Sequence, residues 1–281
     1  MSANIIDEVV DCMQTSSGDI NIQKVQTEHR LKLADFWGIK KGFKVLEIGC
    51  GQGDTTAVLA FLVGEKGFVH GIDIASPDYG SLLTLGESIN YLKKSHIGNR
   101  IKIDFDMDIL SPSFEFPENY FDSIILSHSS WYLKSAEELH DILKKLRRWG
   151  NKLCFAEWDS GIKSVEQYPH FLSVLIQAQY ECFKTTSLSN VRTLFTPQDI
   201  RKIAESAGWD ITAEKSINSP ELQDGKWEIE QVLANFHEEL KTVENMPAKM
   251  ATLIKSQINL LESAIITTAI KPMSTYTFTA E

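Results

Sequence analysis

The stretch Val45-Leu46-Glu47-Ile48-Gly49-Cys50-Gly51-Gln52-Gly53-Asp54-Thr55-Thr56 decides the fold. The apolar, branched run from Val45 to Ile48 reads as a buried parallel strand. It stops in three glycines at alternate positions, and Asp54 with the two threonines then starts a helix. Glycines suit such a turn because the chain bends sharply and a ligand must approach bare backbone. The helix beyond presents its free N–H groups to a carboxylate or phosphate. The stretch therefore predicts a strand–turn–helix cradle for a small molecule.

Its flanks narrow the ligand. A dinucleotide fingerprint requires Gly-x-Gly-x-x-Gly, and Asp54 stands where the third glycine belongs. Glu47 adds a second acid at the strand end. Two carboxylates beside the turn repel a diphosphate but suit a ligand carrying a sulfonium or ammonium. Downstream, Phe68-Val69-His70-Gly71-Ile72-Asp73-Ile74 reads as the second strand of a βαβ unit. An acid ending that strand, here Asp73, is placed to accept both hydroxyls of a ribose. The expected ligand is a ribosyl compound with a cationic and a carboxylate end.

Glu-x-Gly-x-Gly-x-Gly followed by a strand ending in Asp73 resembles the class I S-adenosylmethionine-dependent methyltransferases. The resemblance implies an α/β fold: a doubly wound, Rossmann-like, seven-stranded sheet with N-terminal helices and an inserted helical cap. It implies S-adenosyl-L-methionine as cofactor. It assigns cofactor contacts to Glu47, Gly49, Cys50, Gly51 and Gly53 of the turn, and to Asp73 with Ile74, which would cover a purine ring. One acid at the end of the third strand would bond the exocyclic amine of adenine. Asp106 is the choice and Asp108 the alternative, within Asp106-Met107-Asp108. Solvated loop charge is the plain reading of each acid. Ser127, leaving the fourth strand, completes the set.

The net charge of −10 over 281 residues argues against non-specific nucleic-acid binding, which needs a basic face. It also disfavours anionic lipid surfaces. No apolar run approaches membrane-spanning length, and no basic-then-apolar leader opens the chain, so stable membrane insertion and a signal peptide are not expected. Cys12, Cys50, Cys154 and Cys182 lack metal-site spacing, and no metal is expected. A reduced, cytoplasmic protein follows.

Residues 1–40 read as N-terminal helices: a short amphipathic one on Ile6, Val9, Val10 and Met13, a polar loop from Thr15 to Asn21, and a second from about Ile22 to Trp37. Residues 41–281 read as the methyltransferase domain with helical insertions about 160–195 and 219–270. Leu82 to Lys94 reads as a helix, and Ile101, Ile103 and Phe105 as a third strand. Phe121-Asp122 starts the fourth strand, Leu153 to Trp158 is the fifth, and Trp209 to Ile217 holds the sixth. The first insertion is an aromatic-rich helix from Val165 to Phe183. Thr196-Pro197 starts the next helix. Two apolar stripes, Ile229 to Leu240 and Met250 to Ile265, are divided by Pro247 and read as a helical hairpin. An acceptor pocket, a homodimer interface and plain core are equally open to those stripes. Thr275 to Thr279 is the closing strand, which the resemblance places antiparallel beside the sixth.

Methyl transfer from a sulfonium is an in-line displacement that needs alignment, exclusion of water and, for hydroxyl or ammonium acceptors, a base. Ser127-His128-Ser129-Ser130 leaves the carboxyl end of the fourth strand, where ligands of doubly wound sheets sit. His128 is the candidate base, and Glu157 would orient it or bind a cationic acceptor. Packing beside the cofactor is the plain alternative for His128. His29 could reach the site from the N-terminal helix, with an exposed helical histidine the plainer reading, and His70, His96, His140, His170 and His237 carry no constellation. The Lys144, Lys145, Arg147 and Arg148 cluster reads as favourable charge at a helix end. The acceptor loop lacks Asn/Asp-Pro-Pro-Tyr/Phe, which points away from nucleic acid towards a small or lipidic acceptor. Methylation of a lipid double bond by a cyclopropane-fatty-acid-synthase-like enzyme is the neighbouring alternative. A non-catalytic cofactor-binding module and a nicotinamide-dependent oxidoreductase are the others.

Overall fold

The structure, a computed structural model, describes residues 3–14, 20–80, 82–187 and 189–281. Most of the expected polar loop, residues 15–19, lies outside the described residues. Helices α1 (Ala3–Val10) and α2 (Ile20–Trp37) precede β1 (Lys44–Ile48), α3 (Asp54–Val63) and β2 (Phe68–Ile72). Next come α4 (Leu85–Lys94), β3 (Ile101–Asp104), β4 (Ser123–Ser127), α5 (Ala136–Trp149) and β5 (Leu153–Trp158). The chain closes with α6 (Tyr168–Glu181), α7 (Pro197–Ser206), β6 (Ile211–Ile217), α8 (Asp224–Thr242), α9 (Ala248–Thr267) and β7 (Thr275–Ala280).

The strands form one seven-stranded sheet in the order β3-β2-β1-β4-β5-β7-β6. Strands β1 to β5 run parallel, and β7 lies antiparallel between β5 and β6. Alternation along each strand sends side chains to opposite faces. Val45, Val69 and Ile125 join α1 to α4 in one buried core, whereas Leu46, Ile124 and Leu126 join α5 and α7 in the other. Thr84 caps α4 through a reciprocal bond pair with Glu87, so that helix begins at Leu85 and not at Leu82. The same device, Thr196 with Asp199 and Pro197 in the first turn, starts α7.

Helices α8 and α9 are joined by residues 243–247. Both α8 and α9 pack on α6, which carries Leu172, Ile176 and Tyr180 into a third core with Ile229, Val232 and Phe236 of α8 and Ile254, Ile258 and Leu261 of α9.

The order of strands reverses between β1 and β4, so the loops that leave their carboxyl ends, at Gly49 and at Ser127, open side by side. That crevice is where ligands of open α/β sheets bind. Helix α2 crosses the same end of the sheet, with Trp37 Nε1 donating to Thr277 Oγ1 of β7 at 2.8 Å. Among the described residues no helix is long and apolar enough to cross a membrane.

Candidate active site

The glycine turn is stitched to β2. The N–H groups of Gly49 and Cys50 both donate to the Ile72 carbonyl, at 2.8 and 3.3 Å, and the Gly53 N–H donates to Cys50 O at 2.9 Å. The Asp73 carboxylate accepts the Gly51 N–H at 2.7 Å and the Ala75 N–H at 2.9 Å. Gly51 has φ +52°, and a Cβ built there would project into open space. Gly49 and Gly53 are glycine for another reason: a Cβ would strike Ser129 at 2.7 Å in the first case and Ile89 at 2.6 Å in the second. Helix α3 starts from Gly53 with no side-chain cap, leaving its first N–H groups uncapped.

Two expected contacts stand elsewhere. Period-two alternation turns Glu47 onto the α3 face, beneath the turn, where it is 3% exposed and accepts Thr56 Oγ1 at 2.6 Å. Burial pushes its pKa up to about 8, against the lowering effect of Thr56, so Glu47 is not an ionised acid beside a ligand at neutral pH. The Cys50 side chain likewise packs inward against Gly71, and burial holds its thiol protonated. Asp54 is engaged by Gln23 at 2.9 Å and Arg30 at 3.4 Å.

Beyond Asp73, Ile74 is 71% exposed over the cradle side of β2. Asp106 is exposed with φ +55°, its N–H donating to Ala75 O at 3.2 Å, and the Met107 N–H donates to Asp73 O at 3.0 Å. Asp108 turns its carboxylate onto the Leu110 N–H at 2.8 Å, and Asp104 is held by His70 and Lys102. Of the alternating acids, Asp106 alone keeps a carboxylate without such a partner among the described residues. Ser127, half-buried, ends β4 opposite Ala156.

Beside the loop that follows β4 lies a cavity of about 210 Å³. Its floor is the loop after β4 with the end of β5, and its walls come from α2, α6 and α8. His128 enters with φ +51°, a conformation uncommon outside glycine. Its Nδ1 lies 3.6 Å from Glu157 Oε1, and its Nε2 lies 3.4 Å from His29 Nε2. Glu157 is 2% exposed and is clamped by donors: Ser130 N–H and Oγ, the Trp131 N–H, and the Trp158 N–H. A buried carboxylate so surrounded is a fixed charge beside the imidazole.

Two further histidines, His29 and His170, line this cavity. His29 is buried, not exposed: it bonds Ser219 Oγ at 3.0 Å and faces Thr275 Oγ1 at 3.3 Å. Burial, with His128 and Arg30 near, drives its pKa well below the ordinary value. His170 of α6 is fully buried with its pKa pushed down to about 3 by desolvation, then by His128. Its ring meets Trp158 edge-on at 5.1 Å, and Trp158 tilts over His128 at 4.7 Å. The polar stripe Gln23, Gln26 and Arg30 at helical spacing was a legible hint that this face of α2 meets a site. His170 gave none, because it sits alone among apolar residues. The Lys144–Arg148 cluster is spent on structure: Lys145 donates to Ser111 O, Arg147 to Gly208 O, and Arg148 pairs with Glu115.

A family model described as a methyltransferase domain matches residues 22–214. The chain is also similar to the crystal structure of a cyclopropane-fatty-acyl-phospholipid synthase-like protein from Lactobacillus casei ATCC 334, with 33% identity, 99% of each chain covered and a TM-score of 0.88. It belongs to the class I S-adenosylmethionine-dependent methyltransferases. Among curated relatives it is 24% identical over 244 residues to the methyltransferase phomM' of Diaporthe leptostromiformis, covering 73% of this chain. The chain spans 63% of that relative's length. It is 26% identical over 182 residues to a ubiquinone/menaquinone biosynthesis C-methyltransferase of Francisella tularensis subsp. novicida (strain U112), covering 62% of this chain and 69% of the relative. The methyltransferase uses S-adenosylmethionine as its cofactor, and its seven-stranded mixed sheet is the fold of the family.

Proposed function

We propose that the enzyme methylates a small acceptor held in the cavity between His128, His170 and Glu228, with His128 as the base and Glu157 as its fixed counter-charge. The observation that carries this reading is the cavity itself. At about 210 Å³ it is smaller than the about 300–1,000 Å³ typical of drug-sized ligand sites. Three histidines and the carboxylates of Glu157, Asp224 and Glu228 line it, a poor environment for an acyl chain. The apolar stripes that suited lipid in sequence face α6 instead, in a closed core of their own. The similarity to a cyclopropane-fatty-acyl-phospholipid synthase-like protein keeps lipid as the alternative to be tested.

The residues of the cradle fit the cofactor: open space at Gly51, exposed Ile74, and the carboxylates of Asp73 and Asp106 would hold it. S-adenosylmethionine supplies a methyl group on a positively charged sulfur. The protein's own work is positioning and proton transfer. Ser129, wedged against Gly49, directly follows His128 in the chain, so an acceptor beside His128 lies at the cofactor's end of the sheet. His128 takes the acceptor's proton, and Glu157 near Nδ1 stabilises the imidazolium that results. Trp131, Trp158 and residues of α8 line the cavity.

Transfer of labelled methyl from S-adenosylmethionine to a library of small hydroxyl, amine and keto compounds, run beside phospholipid vesicles, tests the reading. Labelling of one or more small compounds and not of lipid is expected. Labelled lipid with unlabelled small compounds would overturn it.

A further inference from the structure

His170 has one ring nitrogen accounted for and one left over. The Met273 N–H donates to its Nδ1 at 2.9 Å, so Nδ1 carries the lone pair. Burial keeps the ring neutral at physiological pH, which leaves the proton on Nε2. That Nε2 is buried and has no hydrogen-bond partner among the described residues. A buried donor without an acceptor is costly, and such groups in folded proteins await a ligand or a water. His170 lines the cavity that His128 enters.

The charge of the lining says which acceptor atom suits that donor. Glu157, Asp224 and Glu228 bring three carboxylates, whereas the cation Arg30 is already engaged by Gln26 and Asp54. Desolvation raises the Glu228 pKa, a sign that the cavity opposes further negative charge. An anionic group would be repelled there. The aromatic side chains of Trp158 and Trp227 in the lining favour a planar molecule.

Resting on the small-acceptor reading, we infer that His170 Nε2–H is the donor that seats a keto or hydroxyl oxygen of a neutral, planar acceptor, with anionic acceptors excluded. The cavity thus divides its labour: His128 faces the atom to be methylated, and His170 grips an oxygen of the same molecule.

Matched aromatic probes test this, with S-adenosylhomocysteine present: phenol and acetophenone carry the oxygen, toluene lacks it, and benzoate is anionic. In calorimetry, phenol and acetophenone are expected to bind and benzoate is not. His170→Asn keeps an acceptor for the Met273 N–H and removes the donor. It should lower the phenol-to-toluene affinity ratio about three- to tenfold, the worth of one hydrogen bond, with S-adenosylhomocysteine affinity unchanged. His170→Gln, whose amide N–H reaches the same place, should restore the ratio. In the unaltered protein, ¹⁵N-histidine NMR should show His170 protonated on Nε2, with that signal moving on addition of phenol and not of toluene. An unchanged ratio in His170→Asn, a static Nε2 signal, or benzoate binding as well as phenol would overturn the inference. Methyl transfer to small compounds that is indifferent to His170 overturns this inference alone. Transfer to lipid only, with phenol still moving the Nε2 signal, overturns the small-acceptor function alone.

Discussion

The cradle assigned to the cofactor and the cavity assigned to the acceptor lie at the same end of the sheet, yet they are built in opposite ways. The cradle comes from three short loops, each at the end of a parallel strand, and its bonds are mostly backbone: Gly49, Cys50 and Gly51 are all fixed by main-chain N–H groups. The cavity comes from side chains of α2, the β4 and β5 ends, α6 and α8, residues far apart in sequence. A backbone site tolerates change in every side chain except those that must be absent or acidic. A side-chain site can be rewritten residue by residue. The difference explains how one sheet end serves one cofactor and, with different caps, different acceptors.

Four substitutions break or sharpen that contrast. The largest effect belongs to the cavity. His128→Ala should lower turnover by about 10²–10⁴-fold, the usual worth of a general base, while cofactor affinity measured by calorimetry stays level. Full activity would remove His128 from the mechanism. Next is Gly51→Val, which should weaken cofactor binding about 100-fold. A β-branched residue at φ +52° costs about 1–3 kcal/mol on its own, and its Cβ enters the open cradle. Asp73→Ala should follow, at about 1–3 kcal/mol of cofactor affinity, with loss of the bonds to Gly51 and Ala75 loosening the turn. Undiminished affinity would assign the ribose to another acid.

The smallest effect is on stability alone. Glu47, with its pKa raised to about 8 in the folded protein against an ordinary 4.5, binds more protons folded than unfolded between those values. Native stability contributed by that group therefore falls as pH rises through the window. Glu47→Gln does not titrate, so its melting temperature should match the parent near the acid end and exceed it increasingly towards pH 8. A constant difference across the window would show that Glu47 is already ionised in the fold. It would also return a second carboxylate to the turn.

The legibility of the two regions in sequence follows the same division. The strand, turn and helix from Val45 to Thr56 are contiguous, and the glycines report on backbone geometry that sequence writes locally. Asp73 follows from strand spacing, and the choice of Asp106 agrees with the way Asp104 and Asp108 are consumed by neighbours. Position in the same motif was misleading for Glu47 and Cys50, because alternation along β1 and packing against Gly71 point them inward. His128 and Glu157 were reachable because both end strands of the sheet. His29 was open to the site from its helix but its burial was not legible, and His170 gave no signal, since both depend on packing of α2 and α6 against residues distant in sequence.

The sequence by itself determined a doubly wound sheet with a glycine-rich turn and an acid after the second strand, the motifs that carry the resemblance to the family. Those follow from period, turn chemistry and short-range spacing, which act over a few residues. Only the tertiary structure decided which face of β1 carries Glu47, which histidines share a cavity and which nitrogen of His170 holds its proton. Burial and hydrogen-bond partnership at those positions are set by residues scores of positions away, from Ser219 against His29 to Met273 against His170.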